Sequence, residues 1–243
     1  MTQDLCLPAD SWLVSCSEFL LSIDFLLRSG LSCVSMPYPN ILQEIQQGFY
    51  LYVPDPEQVK RVYEQLRTKD QRTPFPFWAK IWPSALALTD FLQQHPYWIK
   101  DKQVLELGAG IGLPSLRIAK HAAGIIVSDH AAEAVALLQK NIQYLGLLHV
   151  KAFCLDWNNL PEETRADTLL LSDINYAPEQ FDLLLAMIRK MLVQGTTIVL
   201  ATPQRITITP FAEAIQPYIK ESVLQTVVEN SQPVEIRILV LSL

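Results

Sequence analysis

The chain has 243 residues, half of them hydrophobic, with 19 Lys or Arg against 25 Asp or Glu and a formal net charge of −6. That apolar content excludes a disordered chain, and the length fits one α/β domain with an appendage. The acidic balance argues against a nucleic-acid partner, and no apolar run reaches the length of a bilayer span, so no membrane partner is expected either.

Residues 1–35 stand apart from the rest. They hold three of the four cysteines, Cys6, Cys16 and Cys33, with Cys154 far downstream. No CxxC or Cys/His ligand spacing occurs, so neither a disulfide framework nor a metal site is expected. The apolar stretch from Trp12 is interrupted by Asp24 and lacks a basic leader, which does not suit a secretory signal. Gly30-Leu31-Ser32-Cys33 is a poor lipoprotein cleavage box. Met36 is read as the true start, with the upstream residues a wrongly included extension. The competing reading is an amphipathic helix packed on the domain or on a partner. The domain itself is expected over 36–243.

From Met36 the pattern becomes regular. A short strand is expected at 50–53 and a Pro-flanked helix at 57–66. Pro74-Phe75-Pro76-Phe77 then breaks the chain. A helix lies within 78–94, where Leu86, Leu88, Phe91 and Leu92 recur at helical spacing. Strands at 103–107, 124–129, 150–155, 167–173 and 196–201 alternate with helices at 113–121, 131–145, 178–192 and 209–219. The final apolar runs, 222–228 and 234–241, have no helix between them and should pair as a hairpin. The βαβ series implies a Rossmann-like α/β fold: a seven-stranded, mostly parallel sheet, a C-terminal antiparallel hairpin, and helices on both faces.

The motif with most chemical content is Val104-Leu-Glu106-Leu-Gly108-Ala109-Gly110-Ile-Gly112. A strand delivers an acid, and three glycines at alternate positions open a helix. Glycines let the backbone turn sharply and approach a ligand closely, although structural turns use them too. Glu106 discriminates. A carboxylate there would repel a pyrophosphate but suits a ligand end carrying an ammonium group, as in S-adenosylmethionine (SAM).

Asp129 ends the next strand, where a carboxylate can bind ribose hydroxyls; the plain alternative is a helix cap. Asp156 and Trp157 close the third, placing an acceptor for the adenine amino group beside an indole that can stack on the ring, or simply pack the rim. Ser172-Asp173-Ile174-Asn175-Tyr176 closes the fourth, where methyl donor and acceptor should meet. There Asp173 can hold, orient or deprotonate an amine, and Tyr176 can bind it through hydroxyl or ring face. An Asp turn before the next helix is the alternative. Trp82, ahead of Pro83 at a helix entrance, offers a lid to the methionine end or an anchor to the core. The four histidines share no metal-like spacing and are read as structural or solvated.

With these residues the chain resembles a seven-β-strand (class I) SAM-dependent methyltransferase. More narrowly it is similar to the family-16 group, which contains protein-lysine methyltransferases and is related to nicotinamide N-methyltransferase. The resemblance runs from about Trp78 to Arg205. It is carried by Ile81-Trp82-Pro83, the glycine motif, Asp129, Asp156-Trp157 and the Asp173-x-x-Tyr176 signature. It implies SAM contacts from Trp82, Gly108, Ala109, Gly110, Asp129, Trp157 and Ser172. Ser172 departs from a common Ala, and Asn158 from a common Gly. The implied function is methyl transfer to a lysine of a protein substrate, by a monomeric cytoplasmic enzyme. The alternatives are a small-molecule amine or pyridine N-methyltransferase, or a SAM-binding scaffold without turnover.

Overall fold

The structure is a computed structural model that describes residues 38–175, 177–203 and 209–243. The proposed extension, Tyr176 and Arg205 therefore lie outside the described residues.

The first described elements are a hairpin of β1 (Asn40–Gln46) and β2 (Phe49–Pro54). Phe49, Leu51 and Val53 alternate inward along β2 and bury into the core. The sequence reading found β2 but not β1, because β1 is largely exposed and shows no alternation. Helix α1 (Pro56–Lys69) starts where Asp55 accepts the N–H groups of Glu57 and Gln58 and Pro56 takes the first turn.

A helix was expected within 78–94 with Pro83 at its entrance, and α2 runs from Pro83 to Gln94. The ring of Pro83 excludes a helical conformation for Trp82, whose φ of −87° and ψ of 151° are extended. The chain from Phe77 thus forms one 3-10 turn (Phe77–Ala79) and an extended link.

The main sheet contains β3 (Gln103–Leu107), β4 (Gly124–Asp129), β5 (Val150–Cys154), β6 (Thr168–Ser172), β7 (Thr197–Pro203), β8 (Ile219–Glu229) and β9 (Gln232–Leu241). Their order is β5-β4-β3-β6-β7-β9-β8, with β9 antiparallel to both neighbours and the other pairs parallel. The connecting helices are α3 (Leu113–Ile118), α4 (Ala132–Leu145), α5 (Phe181–Val193) and α6 (Thr209–Ile215). Several expected helices are shorter, because 3-10 turns replace their ends at Ala119–His121, Pro178–Gln180 and Gln216–Tyr218. The hairpin is longer than expected, turning through Asn230 and Ser231, both at positive φ as a tight two-residue turn requires.

Strand alternation sorts the side chains into two cores. Val104, Leu170, Val199 and Ala201 pack beneath α2, α3 and α4. Leu105, Leu107, Leu169, Leu171, Ile198 and Leu200 pack against α5 and α6. Both faces are covered, so the parallel strands read as continuous apolar runs. The strand order reverses between β3 and β6, which opens a crevice at their carboxyl ends. Among the described residues, no helix is long and apolar enough to cross a membrane.

Candidate active site

The crevice is a cleft of about 630 Å³, counted with the solvent at its mouth. The glycine turn after β3 forms its floor, with Gly108, Gly110 and Gly112 all left-handed. Protein atoms already fill some of the space these glycines leave. A Cβ on Gly108 would stand 2.9 Å from the Trp157 ring and 3.0 Å from Ile174. One on Gly112 would stand 2.3 Å from Leu138 Cδ2 on α4. Gly108 therefore makes room for an indole, and Gly112 for helix packing.

Asp129 closes β4 and is almost fully buried, yet it borders the cleft. Its Oδ2 accepts the Gly110 N–H at 2.9 Å and its Oδ1 accepts the Ala131 N–H at 2.9 Å. One carboxylate thus ties the glycine turn to the entrance of α4 and keeps spare lone pairs for a ligand. His130, with 68% of its side chain exposed, has Nδ1 3.3 Å from Asp129 Oδ1 and also lines the cleft.

Asp173 follows β6 in a left-handed conformation, φ +54°, which is uncommon outside glycine and concentrates at functional sites. Its N–H donates to the Ala201 carbonyl at 2.9 Å, pinning the turn to β7. Behind it, the buried Asn175 accepts from Thr202 Oγ1 at 2.9 Å. Trp82 donates from Nε1 to the Phe77 carbonyl at 2.9 Å, which fixes its ring at the cleft wall.

Of the residues singled out from sequence, Trp82, Gly108, Ala109, Gly110, Gly112, Asp129, Trp157, Ser172 and Asp173 line this one cleft. Glu106 and Asp156 do not. Asp156 is exposed and accepts the Asn158 N–H at 2.9 Å, capping a 3-10 turn. Glu106 is fully buried behind the glycine turn, and its Oε2 accepts the Ser115 N–H at 3.1 Å in the first turn of α3. Burial, reinforced by the nearby Asp129 charge, pushes its carboxyl up to about 7, against the opposing pull of the Ser115 hydrogen bonds. The period of two already carried this signal, since Glu106 shares a face with Val104, beneath α3. Sequence reasoning also missed Lys80, which lines the cleft together with Trp78 and Trp82.

A profile described as lysine methyltransferase matches residues 64–221. Histone-arginine methyltransferase METTL23 from Homo sapiens is 32% identical over 114 residues, covering 44% of this chain and 60% of that protein. Calmodulin-lysine N-methyltransferase from Arabidopsis thaliana is 35% identical over 123 residues, covering 47% and 40%. Protein-lysine N-methyltransferase EFM2 from Saccharomyces cerevisiae is 32% identical over 180 residues, covering 62% and 43%. The aligned chain spans 60% or less of each of these relatives. Among solved structures, the N-methyltransferase NodS from Bradyrhizobium japonicum superposes with a TM-score of 0.54 at 15% identity, covering 74% of this chain and 97% of that one. At that identity the likeness shows the fold alone. The profile runs from within α1 to the start of β8, through every strand end that opens on the cleft, and on that match the chain belongs to the lysine methyltransferase family.

Proposed function

We propose that this protein is a SAM-dependent methyltransferase acting on a side-chain nitrogen of a protein, with lysine as the leading target. The observation that carries the reading is the convergence of the glycine turn, Asp129, Trp157, Ser172 and Asp173 on one cleft at the switch point of the sheet. The residues fit the cofactor. Trp157 Nε1 and Ser172 Oγ are buried polar atoms on the cleft wall with no partner, as expected of donors waiting for a ligand. Asp129 offers acceptors to a ribose diol, and the Trp157 ring offers a face for stacking. Bound SAM supplies an electrophilic methyl group on a sulfonium.

The chain's own part is alignment and charge. Asp173, held in place by its backbone bond to β7, presents a carboxylate that attracts a cationic side chain, orients its nitrogen and accepts a proton as the nitrogen becomes nucleophilic. In this reading Tyr176 assists at the same nitrogen. Arginine is a second reading, favoured by relatives named as histone-arginine methyltransferases. The same carboxylate serves a guanidinium by bidentate bonds. The reading also has the enzyme working in the cytoplasm as a monomer, which fractionation and gel filtration check.

Calorimetry with SAM and mass spectrometry of lysates, with and without the gene, test the proposal. Asp173→Asn should reduce methyl transfer on the order of 10²-fold and leave SAM affinity nearly unchanged. If the variant instead loses SAM binding while bound complexes turn over normally, Asp173 belongs to the cofactor site and the assignment is wrong.

A further inference from the structure

The proposed reaction makes no use of Lys80, although this residue lines the same cleft as the glycine turn, Ser172 and Asp173. It lies on the extended link ahead of α2. Its Nζ stands 4.4 Å from the centre of the Trp82 ring and 2.7 Å from Glu229 Oε1. Glu229 is the last residue of β8, which runs parallel to β7 with β9 between them. The end of β8 therefore falls on the carboxyl side of the sheet, the side on which the loop after β6 holds Asp173. Among the described residues that line the cleft, Lys80 is the only lysine or arginine.

Neither contact locks the ammonium away. The Lys80 and Glu229 side chains are 45% and 30% exposed, so water screens the pair and it exchanges readily. A lysine on four rotatable bonds sweeps the mouth of the cleft once that pair opens. Being covalently part of the enzyme, it pays no association entropy and meets the cleft at a high effective concentration.

We propose that Lys80 is itself a methyl acceptor, modified by the cleft of its own chain. The inference rests on the methyltransferase reading above. The Lys80 ammonium first releases one proton to water. The lone pair of the neutral Nζ then bonds to the methyl carbon as the carbon–sulfur bond breaks. That electron pair stays on sulfur, leaving a neutral thioether and a methylammonium on Lys80. Each methyl keeps the positive charge but removes one N–H donor. The modified side chain therefore keeps its hold on the Trp82 face while its hydrogen bonding to Glu229 weakens with each methyl. Methylation would so loosen the link between the loop ahead of α2 and the β8–β9 turn.

The test incubates the full chain with methyl-labelled SAM and no other protein, at a series of protein concentrations, and maps the label by peptide mass spectrometry. The expected result is label on Lys80, absent from Lys80→Arg, with a fraction modified per unit time that stays constant over about tenfold dilution. Two results overturn the inference alone. In one, the protein binds SAM by calorimetry and labels other proteins in a lysate while Lys80 stays unlabelled. In the other, Lys80 is labelled at a rate proportional to protein concentration. A chain that neither binds SAM nor labels any protein overturns the methyltransferase reading, and this inference with it.

Discussion

Glu106 is fully buried, and only one of its carboxyl oxygens has a partner. Its carboxyl titrates near 4.5 in an unfolded chain and near 7 in the fold, chiefly through desolvation. Between those values the folded state holds a proton that the unfolded state has released. Its contribution to stability is therefore full below about pH 4.5, falls as pH rises toward about 7, and stays lost above. The shift corresponds to on the order of 3 kcal/mol across that window. Glu106→Gln keeps the shape and removes the titration, so its urea unfolding should weaken less than the wild type's between about pH 5 and pH 8. Equal pH slopes would show that Glu106 is not the titrating group. Asp129 makes the opposite kind of contribution, satisfying two backbone N–H groups at once. Asp129→Ala should lower stability by about 1–3 kcal/mol and weaken SAM binding, because the glycine turn loses its tie to α4. Thermal unfolding with and without SAM reads both effects.

Helix and turn geometry supplies sharper tests. Gly112 combines a φ of +79° with Leu138 Cδ2 standing where a Cβ would go. Gly112→Ala should lose about 2–4 kcal/mol of stability from strain and overpacking together. Gly146 is left-handed too but faces open space at the end of α4, so Gly146→Ala should lose only about 1 kcal/mol. Equal losses in denaturant titrations would show that backbone conformation, not the packing of α4, sets the demand for glycine at Gly112. These elements were legible in sequence to very different degrees. The parallel strands announced themselves because both faces are buried, and Pro83 and Gly112 mark helix entrances by their own backbone chemistry. The glycine turn, Asp129 and Asp173 were legible because a strand end followed by Gly or Asp is a local pattern. Strand β1 was not, since its residues stay near water and carry no alternation. Nor was the Lys80–Glu229 pair, whose partners lie far apart in the chain and meet only after the sheet has formed.

At the scale of the molecule, the loop that walls the cleft is braced by the segment just ahead of the hairpin. Tyr38 is buried with its ring centre 6.0 Å from that of Trp78, and the Pro39 carbonyl accepts the Asp55 N–H at 2.9 Å. A chain of residues 36–243 keeps these contacts and should melt at the temperature of the full chain. A clearly lower melting temperature would show that residues 1–35 stabilise the domain.

The hairpin is in turn held by one side chain of α4. The buried Asn141 accepts the Tyr52 N–H at 2.8 Å and donates to the Tyr52 carbonyl at 2.9 Å. Tyr52 already faces Leu42 on β1, so these two groups point away from β1, along the outer edge of β2. The amide of Asn141 thus stands in for one residue of a strand that is not there. An edge answered in this way offers no template at that point to a passing chain. Asn141 therefore bears on solubility as well as on folding. Asn141→Leu would keep the volume and leave the edge unanswered, and light scattering at rising protein concentration should detect self-association before the domain itself unfolds.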